Sequence, residues 1–159
     1  MLDAQFGVWN MNYELFERDF IVRTLDIIRK YEKYVPQKEQ FEVTLLINCL
    51  LGLLILPKER CYINIPKTKI NELIGWGLSE EHIISWGDRP RSIDSNYHET
   101  VLEVVHKMRN SIAHLRVIPI SDNNEIKSLQ FSDRSGFEAI VPVECLHKFV
   151  AKLSESIDL

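Results

Sequence analysis

Apolar positions recur along this chain at helical spacing for its first two thirds, and at strand spacing only near the C-terminus. Leu15, Phe16, Phe20, Val22, Leu25, Ile28 and Tyr31 repeat every three or four residues with charges between them. That spacing predicts a first long helix, with Asn12 as its cap, running to about Tyr34 and stopped by Pro36. The run from about Glu39 to Leu56 is apolar on nearly every side, which predicts a buried helix at the centre of a bundle, ended by Pro57. Cys61 to Ile65 reads as extended, because Pro66 biases the residue before it away from the helical region. Lys67 to Trp76 and Ser79 to Trp86 read as helices of two or three turns, closed by Gly77 and Gly87. Asp88 to Ser95 reads as a loop. Asn96-Tyr97-His98-Glu99 has the form of a capping box and predicts a helix through about His114, with Val101, Leu102, Val105, Met108 and Ile112 on its apolar face.

The last third changes period. Glu125 to Phe131 alternates, Asp133 to Gly136 carries turn residues, and Phe137 to Val141 is rich in strand formers, which predicts a hairpin. Pro142 then opens a terminal helix that places Val143, Leu146, Phe149, Val150 and Leu153 on one side. The sum is a single domain over residues 1–159. It is mainly α, an up-and-down helical bundle with a small β-hairpin appendage at about 125–141 and a terminal helix.

Composition narrows the class. With 159 residues, 45% hydrophobic and 26% charged, the chain can bury a core of its own. The net charge of -4 argues against a protein that coats polyanions with a broad basic field. A local exception stands out. No acidic residue occurs from Val104 to Ser121, where Lys107, Arg109 and Arg116 are charged and His106 and His114 can become so. Three scattered cysteines, Cys49, Cys61 and Cys145, fit reduced thiols in a cytoplasmic protein. No basic n-region with an apolar stretch opens the chain, and the run from Phe41 to Leu56 is too short to span a membrane.

Chemistry concentrates on Arg109 and His114. A guanidinium forks onto phosphate oxygens, and an imidazole exchanges a proton near neutral pH. Together they suffice for cleaving RNA without a metal or cofactor, by attack of the 2′-hydroxyl on phosphorus. On a straight helix the two positions lie about 140° apart and roughly 7.5 Å along the axis. Three arrangements reconcile that spacing: a distorted helix, an Arg109 side chain that wraps round, or a second copy completing the site across a two-fold axis. Arg91 and His98 show a similar spacing, but they straddle a loop and a cap.

The string Met108-Arg109-Asn110-Ser111-Ile112-Ala113-His114 resembles the R-N-x-x-x-H signature of the HEPN superfamily, which includes toxin and antiviral-defence ribonucleases. Glu14 to Phe20 and Phe41 to Leu51 look like the first two helices of small stand-alone bacterial and plasmid-encoded HEPN proteins. The resemblance implies a HEPN-like helical bundle, active as a homodimer, with the motif lining the interface cleft. It implies Arg109 and His114 as catalytic and Asn110 as the residue orienting them; the acid-free stretch around them marks Lys107, Arg116 and His106 as the basic residues expected around a bound RNA. It also implies a toxin or antiphage effector, with a neighbouring antitoxin or defence partner. HEPN toxins controlled by a nucleotidyltransferase often carry a Tyr two residues after the His; Arg116 stands there, so control by tyrosine modification finds no support.

Two other classes compete. One is a non-catalytic HEPN module that binds RNA, nucleotides or a protein. The other is a di-iron bundle built on Glu103-Val104-Val105-His106 and Glu144-Cys145-Leu146-His147, two Glu-x-x-His strings on helices. The second lacks two further inward carboxylates, since Glu42 is the single acid in the apolar run.

Overall fold

A computed structural model describes residues 16–36, 44, 45, 47–49, 65–88, 94–123 and 125–156. Helix α1 spans Phe16–Tyr34. Thr24 and Ile28, four residues apart, are buried, while Asp26, Ile27, Arg29 and Lys30 face solvent. The helix ends where the sequence predicts: Val35 donates to Tyr31, and Pro36 follows with no N–H to continue. Its expected start at Asn12 lies outside the described residues, as does most of the expected second helix. Residues 44, 45 and 47–49 of that second helix are helical, with Cys49 buried and Thr44 and Asn48 exposed four residues apart. The described part therefore shows a polar stripe rather than apolar surface all round.

The stretch between 65 and 88 departs from expectation. Only two short 3-10 turns form, Ile70–Glu72 and Glu80–His82. Backbone pairing to the segment before the next helix overrides the helical periodicity: Ile70 donates to Glu99 and Val101 donates to Thr68, with Lys69 opposite Thr100. After the second turn the β-branched pair Ile83-Ile84 enters a short strand, β1, Ile83–Ser85. Gly87 adopts φ +61 and lies so near the 135–137 turn that a Cβ on it would fall 2.4 Å from the Phe137 nitrogen.

Helix α2 spans Val101–Ala113 and is followed by strands β2, Val117–Asp122, β3, Glu125–Ser132, and β4, Glu138–Pro142, then helix α3, Val143–Ser156. The four strands form one antiparallel sheet in the order β1-β4-β3-β2. Leu129 and Phe131 of β3 and Ala139 and Val141 of β4 have no solvent-exposed surface to speak of, and they share one core with α2 and α3. From α2 come Val101, Leu102, Val104, Val105, Met108 and Ile112; from α3 come Leu146, Phe149, Val150 and Leu153. Each buried Phe or Leu here contributes about 1.5–3 kcal/mol by leaving water.

The expectation of a mainly α, up-and-down bundle is therefore overturned: the described residues form an α+β domain with two helices laid on a sheet. The predicted hairpin at 125–141 is present as β3 and β4, yet it is the centre of that sheet and not an appendage. Among the described residues no helix is long and apolar enough to cross a membrane.

Candidate active site

Helix α2 begins later than its expected box. Asn96 and Tyr97 sit in a 3-10 turn, Ser95–Tyr97, whose cap is the Asp94 carboxylate, accepting from the Asn96 N–H. Thr100 is the true N-cap, its hydroxyl accepting from the Glu103 N–H at 3.4 Å and donating to the Tyr97 carbonyl at 2.7 Å. Glu103 then reaches back, and its Oε2 accepts from the Glu99 N–H at 2.8 Å.

Most of α2 is inside the protein. Residues 101–105, 107, 108, 111 and 112 are buried. The four remaining positions are His106, Arg109 and Asn110, all half-buried, and Ala113, exposed. They follow the i, i+3, i+4, i+7 rule and so form one stripe along the helix. The Arg109 guanidinium donates from Nη2 to Asn110 Oδ1 at 2.9 Å, which ties the charged fork to its neighbour.

His114 stands where the helix ends. Its N–H still donates to Asn110, but its own backbone has left the helical region at φ -104, ψ 15. Leu115 follows at φ 54, donating to Ile112, and Arg116 donates to Ser111 at 2.7 Å. This is the Schellman pattern with leucine where glycine is usual, a substitution that costs about 1–2 kcal/mol in backbone strain. Leu115 is 89% exposed, so packing does not offset that strain. The straight-helix angle between Arg109 and His114 consequently does not govern the His114 side chain, because the helix stops between them. Arg116 is half-buried and anchored through its carbonyl, which accepts from the Ser132 N–H of β3.

One expected site residue is corrected. Lys107 has no exposed surface and cannot reach an RNA phosphate. Its ammonium donates to the Trp86 carbonyl, to the Asp88 carbonyl at 2.7 Å and to the Ser135 hydroxyl at 3.1 Å, and it lies over the Phe137 ring at 5.6 Å. It also faces the buried Glu103 carboxylate at 3.6 Å. Glu103 Oε2 accepts from His98 Nδ1–H at 2.8 Å, and the His98 ring meets Trp86 edge-on. Sequence reasoning missed this network. The available signal was a Glu and a Lys four apart inside an otherwise apolar helical run, which marks a buried pair more than a basic patch.

The same network removes the di-iron arrangement. Glu103 is committed to Lys107, His98 and the Glu99 N–H, and Glu144 is exposed on α3. Arg91 lies outside the described residues.

Burial first, and then the Arg109 charge, push His106 below its ordinary pKa; Lys107 adds to this, while Asp133 and Glu103 oppose it.

The class defined by these features is an α+β domain whose main buried helix opens a single polar stripe carrying an Arg-Asn pair and ends on a histidine. The chain belongs to the HEPN superfamily: the family model HEPN pEK499 p136 matches residues 10–158. No curated protein and no solved structure matched. HEPN domains are generally ribonucleases or nucleotide-binding modules.

Proposed function

We propose that the protein is a metal-independent endoribonuclease of HEPN type, acting in the cytoplasm as a toxin or antiphage effector. The observation that carries this reading is the stripe on α2, where a core helix opens to solvent only at His106, Arg109, Asn110 and Ala113. The Arg109 guanidinium, braced on Asn110, neutralises the phosphate oxygens as negative charge grows on them. The ribose 2′-oxygen bonds to phosphorus as its proton passes to a general base, and the bond from phosphorus to the 5′-oxygen breaks as that oxygen takes a proton from His114. The products are a 2′,3′-cyclic phosphate and a 5′-hydroxyl.

A homodimer with the two stripes facing one groove would present two guanidiniums to one RNA strand. The exposed apolar side chain directly after the motif, Leu115, supports self-association at this end of the stripe. Arg116 at the end of the stripe adds positive charge along the RNA path. A neighbouring antitoxin or defence partner would hold the activity in check.

Arg109→Ala and His114→Ala each abolish cleavage of RNA in vitro, or relieve growth arrest on expression, with helical content unchanged. If both variants cleave as the parent does, the enzyme reading falls. If neither parent nor variant cleaves while RNA still binds, the protein is a HEPN binding module.

A further inference from the structure

Cleavage by 2′-hydroxyl attack moves two protons, one at each end of the reacting phosphorus. The motif supplies one imidazole per chain, His114. Helix α2 carries another. His106 opens the same stripe, three residues before Arg109 and four before Asn110, while its neighbours Val105 and Lys107 are buried. The three side chains therefore occupy one face within about one helical turn. His106 and His114 are separated by about 12 Å of helix axis, with Arg109 between them. Along the axis Arg109 stands between the two histidine positions, so a phosphate held by its guanidinium has a histidine on either side.

The geometry points to His106 as a catalytic base of the site, taking the 2′-hydroxyl proton while Arg109 holds the phosphate and His114 protonates the departing 5′-oxygen. This rests on the nuclease reading above. Atoms and charge balance within the step. The 2′-oxygen gains a bond to phosphorus and loses its proton to His106. The 5′-oxygen loses its bond to phosphorus and gains a proton from His114. The two imidazoles finish with exchanged protonation states, which solvent resets.

The charged groups around His106 are Arg109 and Lys107 on its own helix, Glu103 one turn earlier, and Asp133 at the turn between β3 and β4. Their net effect, added to burial, keeps the ring neutral at neutral pH, the form that accepts a proton. A histidine placed on this stripe only for solubility would gain nothing from that environment.

The test compares parent, His106→Gln, His106→Ala, Arg109→Ala and His114→Ala on one short RNA across pH. His106→Gln is expected to lower kcat by about 100-fold or more with KM within a few-fold, and to remove the acidic limb of the kcat profile. Added imidazole restores part of the rate of His106→Ala. An RNA with sulfur in place of the bridging 5′-oxygen, whose leaving group needs no acid, restores cleavage to His114→Ala and not to His106→Ala. In the parent, the His106 ring resonance shifts on titration with the 2′-deoxy form of the same strand, a readout that stands even if a variant misfolds. Loss of cleavage in Arg109→Ala alongside a parental rate and pH profile in His106→Gln overturns the base assignment and leaves the nuclease reading intact. Sulfur rescue of His106→Ala, or an unmoved His106 resonance, also overturns it. Parental cleavage by both Arg109→Ala and His114→Ala removes the nuclease reading itself, and the base assignment with it.

Discussion

Lys107 Nζ stands 3.6 Å from Glu103 Oε1, one helical turn away, and neither side chain has any exposed surface. Oε1 has no hydrogen-bond partner among the described residues, so this carboxylate oxygen depends on the lysine charge alone. The lysine in turn fastens two separate segments to α2 through three groups: the carbonyls of Trp86 and Asp88, just after β1, and the Ser135 hydroxyl in the turn before β4. A buried pair of this kind is a poor source of net stability, because desolvating both charges cancels much of their attraction; removing one member is costly, because the other is left buried and unpaired.

Lys107→Met is accordingly expected to destabilise the fold by about 3–5 kcal/mol. For a chain of this length that corresponds to a fall in Tm of roughly 10 °C. The double variant Glu103→Leu with Lys107→Met should melt higher than Lys107→Met alone, since it removes the stranded carboxylate. Thermal unfolding followed by circular dichroism decides the matter. A single variant within about 2 °C of the parent would show that the carboxylate does not need the lysine.

Two glycines with positive φ separate strain from crowding. At Gly75 (φ +76) an added methyl would meet nothing within 4 Å, so Gly75→Ala carries only the backbone penalty of about 1–2 kcal/mol. At Gly87 the same methyl would also lie 2.5 Å from the Ser135 carbonyl oxygen and the Gly136 carbonyl carbon. Gly87→Ala should cost more by at least about 1–3 kcal/mol, because backbone on both sides must shift. Urea midpoints for the two variants give the comparison. Equal midpoints would mean that the loop at Gly87 is free to move off the turn.

What the sequence made legible follows from how each element is held. The apolar face of α2 was readable because Val101, Leu102, Val105, Met108 and Ile112 are buried by the element's own period. Strands β3 and β4 were readable because strict alternation meets strong turn residues at Asp133 to Gly136. Strand β2 was not, because Pro119 interrupts a run that pairs on one side only; a proline is tolerated there because β2 is an edge strand. Strand β1 was hidden because three residues carry no period, and its pairing with β4 is decided by a segment more than fifty residues away. Of the candidate site, Arg109, Asn110 and His114 were proposed from their spacing, whereas the burial of Lys107 depends on three loop carbonyl and hydroxyl groups that no local pattern records. Thr100 lost to Asn96 in the reading of the cap because both begin a polar-x-x-Glu string; only the pairing of Lys69 with Thr100 places the helix start.

Leu115 holds a left-handed conformation at φ 54 with its side chain in solvent. Glycine removes the backbone strain of about 1–2 kcal/mol there, offset by about 0.5–1 kcal/mol of extra freedom in the unfolded chain. Leu115→Gly should therefore leave Tm unchanged or slightly raised. Leu115→Val should lower it, because a β-branched residue tolerates positive φ worst. If the site tightens against a second copy through this side chain, Leu115→Gly also weakens dimerisation, which sedimentation at several concentrations reads directly. A glycine variant that melts well below the parent would show that the exposed leucine makes a contact holding the helix end together.

The depressed pKa of His106 also fixes a sign for stability against pH. The folded protein holds this imidazole neutral to a lower pH than the unfolded chain does, so between the lowered folded value and the ordinary value near 6.5 the unfolded state binds more protons. Stability attributable to His106 is present above about pH 6.5 and is lost as pH falls through the folded value. Replacing His106 with Gln removes the titration, so the variant should lose less stability than the parent between pH 7 and pH 5, whatever the offset between them at pH 7. Chemical denaturation at a series of pH values measures this slope difference. Parallel slopes would place His106 in an environment no less welcoming to its charge than water, contrary to a ring half-buried beside Arg109. The same result would take away the electrostatic support for its service as a base, because an imidazole that charges as easily as in water spends more of its time in the form that cannot accept a proton.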